Sequence, residues 1–250
     1  MSLSVEDHVL ARIADTPVQR DPFPHCVVDE VFPAAFYEEM HDHWPADTAF
    51  QRLVDTRRVG KTYSAQRLVI ELGDSVWPRM QDVESRFWRD RVYSWLKASR
   101  FSEALAQKFR DVTAPRLAAV NGLMRPDALL VSDRGGYVLG PHTDAPHRLV
   151  SALFYLALDH WTFAEEIGTT LYRPLDPRFS CKGGPAYSFA AFQAVKRIAF
   201  LPNRLFMFPK TDSSFHGVEP VRPAGIDRRT LMFDIQIPVK VASSAGTQAD

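Results

Sequence analysis

Cysteine is scarce: the chain of 250 residues holds two, Cys26 and Cys181. That excludes a disulfide framework, and neither residue sits in the Cys-x-x-Cys or Cys/His spacing that structural zinc requires. A reducing cytoplasm is the expected compartment. An excess of either charge is missing as well, with Lys plus Arg and Asp plus Glu both at 30. The broad field that draws a protein to nucleic acid or to an acidic membrane is therefore absent, and recognition has to be local. Long apolar runs are also lacking. The opening MSLSVEDHVLARIADTPVQR has acids where a signal peptide needs a basic and then an apolar stretch, and no run approaches the roughly 20 residues of a membrane span. A soluble, unprocessed protein with neither a nucleic-acid nor a membrane partner is expected. The sequence assigns no oligomeric state. Repeats are absent, and the only biased tract is VASSAGTQAD, residues 241–250, whose composition predicts disorder.

What remains is ample for a core, with 46% hydrophobic residues and 18 prolines, and the length suits one structural domain with elaborations. Residues 1–115 read as an opening strand with supporting helices, order setting in near residue 15. PFPHCVVDEVFP predicts a short strand. Pro33 then suits the first turn of a helix in which Phe36, Met40 and Trp44 recur every four residues. A longer helix is predicted from Val76 to Ala98, carrying Met80, Val83, Phe87, Trp88, Val92 and Trp95, and a third from Ser102 to Val112 with Leu105 and Phe109. His41 and His43 lie two apart on the first of these helices and diverge, so they make poor co-ligands.

From Pro115 onward the pattern becomes strand-like: RLAAVNGLM, DALLVS, GGYVLG, RLVSALFYLAL, GTTLYRPL, RIAFLP, RLFMFP, FHGVEPV and RRTLMFDIQI follow one another, separated by turn residues. About eight strands at this spacing predict a β-sandwich or barrel. The fold class is thus β with α support (α+β), a jelly roll at 116–240 with the N-terminal helices packed outside one sheet. The segment 161–196 exceeds what a hairpin needs and is rich in turn residues and aromatics, which makes it a candidate substrate-covering loop.

Chemistry enters at LGPHTDAPHRLVSALFYL. In extended chain, residues i and i+2 share a side, so His142 and Asp144 offer an imidazole and a carboxylate to one ion while Thr143 faces away. Alone, this motif means little, because His-x-Asp recurs by chance and an ordinary polar turn explains it. In SSFHGVEPV, however, His216 opens a late strand of the same β region. Two histidines and one carboxylate on one face of an ion, with the opposite positions open, are the donor set of non-haem Fe(II) oxygenases. About a dozen residues on, RRTLMFDIQI places Arg228, Thr230, Met232 and Asp234 on one face and Arg229, Leu231, Phe233 and Ile235 on the other. An arginine turned into a barrel needs an anion, and a carboxylate meets it bidentately. One of the two arginines should anchor a dicarboxylate; surface ion pairs for both are the alternative.

Together, His142-Thr143-Asp144, the distal His216 and the arginine strand resemble the Fe(II)- and 2-oxoglutarate-dependent oxygenases, in particular the prolyl-hydroxylase-like branch, over roughly Leu117 to Pro238. EEIGTTLYRP is similar to that family's Gly-rich strand start, NRLFMFPKTDSSFHGVEPV to its run into the second histidine, and DPFPHCVVDEVFPAAFYEEM to the opening strand and first helix of bacterial members. The resemblance implies a double-stranded β-helix, with Fe(II) held by His142, Asp144 and His216. It implies 2-oxoglutarate anchored by Arg228, with Arg229 as the fallback, and by the hydroxyl of Tyr155 in LFYL. It further implies consumption of O2 with release of succinate and CO2, and the carboxylate of Asp144 points to hydroxylation or a related oxidation rather than halogenation.

Candidate substrate contacts are Arg148 and His147 just after the metal motif, Ser151 on the face of Tyr155, Tyr137 and Asp234. Asn121 and Met124 are weaker candidates, and Arg57, Arg58 and Lys61 form a charge run that either meets an anion or stays solvated. Compact size, neutral charge and the covering segment favour a small-molecule substrate such as an amino acid, a sugar-linked metabolite or a secondary-metabolite intermediate. A peptidyl, prolyl-type hydroxylase is the runner-up. A cupin-like metal-binding protein without turnover, or a metalloenzyme that uses no keto acid, would leave the Arg228–Tyr155 pair without a purpose.

Overall fold

A computed structural model describes residues 3–61, 63–222 and 225–239; the tail at 241–250 lies outside them. Among the described residues, eleven strands form two sheets. The larger, seven-stranded sheet runs, edge to edge, through β1 (Cys26–Val28), β9 (Arg204–Pro209), β6 (Arg148–Tyr155), β11 (Asp227–Gln236), β4 (Arg125–Arg134), β3 (Arg67–Glu71) and β2 (Gln51–Arg52). The smaller contains β5 (Leu139–His142), β10 (His216–Val218), β7 (Thr169–Pro174) and β8 (Phe192–Ile198). Every pairing is antiparallel, and the two sheets make the jelly roll.

Strand alternation divides the larger sheet into two faces. Ala152, Phe154, Leu205, Met207, Leu231 and Phe233 point outward into a core shared with the helices. Tyr155, Phe206 and Phe208 point inward against Leu171, Ile198 and Val218 of the smaller sheet. The helical layer comprises α1 (Val5–Asp15), α2 (Ala34–Asp42), α3 (Asp82–Arg86), α4 (Ser94–Leu96), α5 (Ser99–Lys108) and α6 (Arg110–Ala118). Phe32, just before α2, stacks on Phe154 at 5.2 Å between ring centres, and Phe101 of α5 meets Phe233 edge-on at 5.1 Å.

Several expectations need correcting. Order begins at α1, where Ser4 caps the helix by accepting from the Asp7 N–H and Val9 and Ile13 are buried. The helix expected over Val76–Ala98 is broken. Pro78 belongs to a separate 3-10 turn at Trp77–Arg79, a Gln81/Glu84 capping box restarts the chain, and Phe87–Tyr93 widens into a π-helix before α4. RLAAVNGLM is not a strand: α6 continues through Pro115 to Ala118, a turn follows, and Leu117, Val120 and Met124 pack against the helix-side core. The N-terminal half also supplies β2 and β3 to the larger sheet, so it is more than an opening strand with helices. Finally, 161–196 is not one loop. It contains β7 and the start of β8, with turns at 161–168 and an irregular excursion at 175–188. No helix among the described residues is long and apolar enough to cross a membrane.

Candidate metal centre and anion cluster

Pairing of the short strands β5 and β10 sets His142 directly opposite His216. Close approach of these strands requires Gly217, where a Cβ would stand 2.5 Å from the Leu139 carbonyl oxygen. Asp144 follows β5 by two residues, and one ligand atom from each of His142, Asp144 and His216 lies within 4.8 Å of the other two. In both histidines Nδ1 donates to a backbone carbonyl, of Gly140 for His142 and of Ser214 for His216, each at 3.0 Å. This fixes both tautomers and turns Nε2 of each ring toward the common centre. Burial, with the neighbouring His216, holds His142 down to about 3, and burial likewise holds His216 below the ordinary imidazole range. Asp144 is opposed by burial, yet Arg148 and the two histidines hold its carboxyl well below the usual range. Two neutral imidazoles beside an ionised carboxylate are the protonation states a divalent cation needs. The donor set fits such an ion.

The surroundings orient the carboxylate. Ser151 Oγ on β6 donates to Asp144 Oδ2 at 2.7 Å, and Arg148 Nη1 lies 3.6 Å from Asp144 Oδ1 and 3.1 Å from Asp234. Asp234 faces Ser151 across β6 and Asp127 across β4. Burial and Asp144 push the Asp234 carboxyl up, against Arg148, to about 6. Arg58 pairs with Asp127 and Glu71 beside this row.

At the far end of the same inner face stands Arg228, 2% exposed. It donates through Nε to the Ile167 carbonyl and through Nη1 to Asp133 Oδ2, both at 2.5 Å, and its guanidinium lies 4.7 Å from the centre of the Phe200 ring. Tyr155 is inward too, its hydroxyl 2.6 Å from Thr169 Oγ1 and its ring 4.7 Å from Phe200. Arg229 points the other way, to Asp227 and over the ring of Trp44 in the helical layer.

The remaining candidates separate by position. Ser151 reaches the centre, but its hydroxyl proton is committed to Asp144. Tyr137 is fully buried beneath Arg67, with its hydroxyl 3.0 Å from that of Tyr63, so it belongs to the cluster of Arg67, Asp133 and Arg228 rather than to a substrate surface. His147 is exposed and Arg148 half-buried beside His142, Asp144 and His216. Asn121 sits on an exposed turn at φ 54° and Met124 in the helix-side core, both away from the centre. Arg57 and Lys61 are exposed.

Sequence reasoning missed two residues, and it gave the covering segment only a substrate-facing role. Arg67 and Asp133 lie in segments it read only as a charge run and a strand end. The excursion at 175–188 is seated on the ligand segment itself: Thr143 Oγ1 donates to the Cys181 carbonyl, Tyr187 N to that of Pro141, and Gly183, at φ 120°, has space for no Cβ against the Asp144 carbonyl.

Among solved structures, a prolyl 4-hydroxylase from Phytophthora capsici superposes on all of this chain and 72% of its own with a TM-score of 0.52 and 15% identity. A Trichoplax adhaerens prolyl hydroxylase, solved with a hypoxia-inducible-factor peptide, aligns over 92% of this chain and 88% of its own, with a TM-score of 0.49 and 13% identity. HygX from Streptomyces hygroscopicus, solved with nickel, 2-oxoglutarate and hygromycin B, aligns over 85% and 82%, with a TM-score of 0.43 and 14% identity. What the chain shares with the Phytophthora enzyme at this identity is its fold. No family model matches the chain, and no curated protein matches it in sequence.

Proposed function

We propose that the chain is a non-haem Fe(II)- and 2-oxoglutarate-dependent dioxygenase that hydroxylates an unactivated C–H bond of a small molecule. The observation that carries this reading is the convergence of His142, Asp144 and His216 inside a jelly roll whose inner face also presents the buried Arg228. His142 Nε2, His216 Nε2 and Asp144 Oδ1 would hold the metal, and three protein ligands leave positions for a chelating keto acid and O2. Arg228 and Tyr155 would hold the distal carboxylate of 2-oxoglutarate. With these bound, the site supplies oxidative decarboxylation coupled to oxygen insertion into a C–H bond, releasing succinate and CO2.

The chain's own part is positional. Backbone carbonyls set both imidazoles, Ser151 and Arg148 set the Asp144 carboxylate, and the aromatic wall of Phe206, Phe208 and Phe200 would exclude water between the metal and the arginine. The half-buried Arg148 and the buried Asp234 form an ion pair beside the ligands, fitted to orient a polar group of the substrate, and His147 stands at the exposed edge. A compact interior lined in this way suits a small polar molecule better than an extended peptide.

The test is succinate release from 2-oxoglutarate under air with Fe(II), screened over amino acids, sugar-linked metabolites and proline peptides. Turnover stimulated by a small molecule and abolished in Asp144→Ala is expected. Stimulation by proline peptides alone would move the assignment to a peptidyl hydroxylase, and metal retention without any 2-oxoglutarate consumption would make the chain a metal-binding protein.

A further inference from the structure

Arg67, Asp133 and Arg228 stand in one cross-strand row: Asp133 on β4 is directly opposite Arg67 on β3 and directly opposite Arg228 on β11. Such neighbours share a face. Asp133 is fully buried, and the side chains of Arg67 and Arg228 are 14% and 3% exposed. Arg67 grips the carboxylate with two parallel contacts, Nε to Oδ1 at 2.6 Å and Nη2 to Oδ2 at 2.8 Å. Arg228 makes one contact, at 2.5 Å, to the Oδ2 that Arg67 already holds, and its Nη2 donates to no group among the described residues. The groups around the row, Tyr63, Tyr137 and the Ile167 carbonyl, carry no formal charge. Two guanidiniums share one carboxylate, so the row keeps one positive charge. A buried unpaired charge is costly, and one further carboxylate would neutralise it.

Resting on the oxygenase reading above, we propose that Arg67 is a positioning residue for 2-oxoglutarate, holding Asp133 bidentately so that Arg228 keeps a net charge for the distal carboxylate. Without Arg67, Asp133 is left to Arg228 alone. An incoming carboxylate then meets a guanidinium already neutralised and a like charge beside it. Arg67 therefore acts on the cosubstrate without touching it, and the charge sum of the row sets the affinity.

The experiment is anaerobic calorimetric titration of 2-oxoglutarate, and of its distal amide 2-oxoglutaramate, into Mn(II)-loaded wild type, Arg67→Met, Arg67→Lys, Asp133→Asn and the double variant Arg67→Met/Asp133→Asn. Mn(II) binding in each variant reports an intact metal site. Arg67→Met should bind 2-oxoglutarate about tenfold or more weakly and lose most of its preference for acid over amide, as removal of one charge partner implies. The double variant, with the net charge restored, should recover to within a few-fold, Arg67→Lys should stay near wild type, and Asp133→Asn should bind no more weakly than wild type. A double variant as weak as Arg67→Met, or an Arg67→Met protein with unchanged acid-over-amide preference, would overturn the proposal while leaving the oxygenase reading in place. Should Arg67→Met fail to hold Mn(II), weaker binding by Asp133→Asn overturns it instead. A Mn(II)-loaded wild type that binds no 2-oxoglutarate would overturn both.

Discussion

Ser151 gives its one hydroxyl proton to Asp144 Oδ2, and a group that orients a metal ligand shows first in metal retention. Ser151→Ala should weaken divalent-metal affinity about 10- to 100-fold, measured by competition with a chromophoric chelator, with little change in unfolding midpoint. Arg228→Ala should raise the 2-oxoglutarate requirement far more than Arg229→Ala, since Arg229 lies over Trp44 on the helix side; initial rates against 2-oxoglutarate concentration decide it. His142 makes a pH prediction. In the metal-free fold, burial and His216 hold it down to about 3, whereas in the unfolded chain it titrates near ~6.5. The unfolded state therefore takes up the proton first, and this contribution to stability is full above ~6.5 and lost progressively as pH falls toward the folded value. Denaturant midpoints of metal-free wild type should drop more steeply between about pH 6.5 and 4.5 than those of His142→Gln; parallel curves would contradict the assignment. These residues were legible because their chemistry is local: His-x-Asp on extended chain, and parity along β11. Arg67 and Asp133 were not, because a buried ion pair across two strands leaves no periodic trace in either.

Among the elements, β5 and β10 have four and three residues, yet they carry both histidines, and their precision comes from what is seated on them. The excursion at 175–188 is one such brace. A Cβ at Gly183 would lie 2.7 Å from Pro146 Cδ and 2.8 Å from the Asp144 carbonyl oxygen. Gly183→Ala should lower both stability, by about 1–3 kcal/mol, and metal affinity, as read by thermal melts with and without Mn(II). Loss of stability with full metal affinity would show that the excursion is only a surface feature. Most strands from DALLVS onward were legible from alternation bounded by turns, but RIAFLP meets β8 only at Arg197 and Ile198, and the rest of β8 lies in the segment read as a loop. Others were not. Pro115 looked like a helix stop although α6 runs through it to Ala118, Pro78 divides an apparently continuous helix, the alternation of β3 is short and follows a charge run, and α1 and the two-residue β2 went unread.

For the whole molecule, the larger sheet separates a helix-side core from an inner face that carries the candidate site. Phe154 lies on the first side, stacked on Phe32, one residue before the inward Tyr155. Phe154→Ala should destabilise the fold by about 3–5 kcal/mol in denaturant titrations while leaving the metal affinity of the folded fraction unchanged. The jelly roll with outer helices was legible in the order of the segments, helical periods first and strand periods after. The participation of β1, β2 and β3 in the larger sheet was less so, since pairing partners far apart in sequence are set by tertiary register rather than by local pattern.

The most direct test of the central claim is an anaerobic titration of the metal-free protein with Fe(II) and then 2-oxoglutarate, watched for the weak visible charge-transfer band of a chelated keto acid. The expected result is a band that saturates at one 2-oxoglutarate per protein and is lost in His216→Ala; iron binding with no band at any 2-oxoglutarate concentration would contradict the assignment.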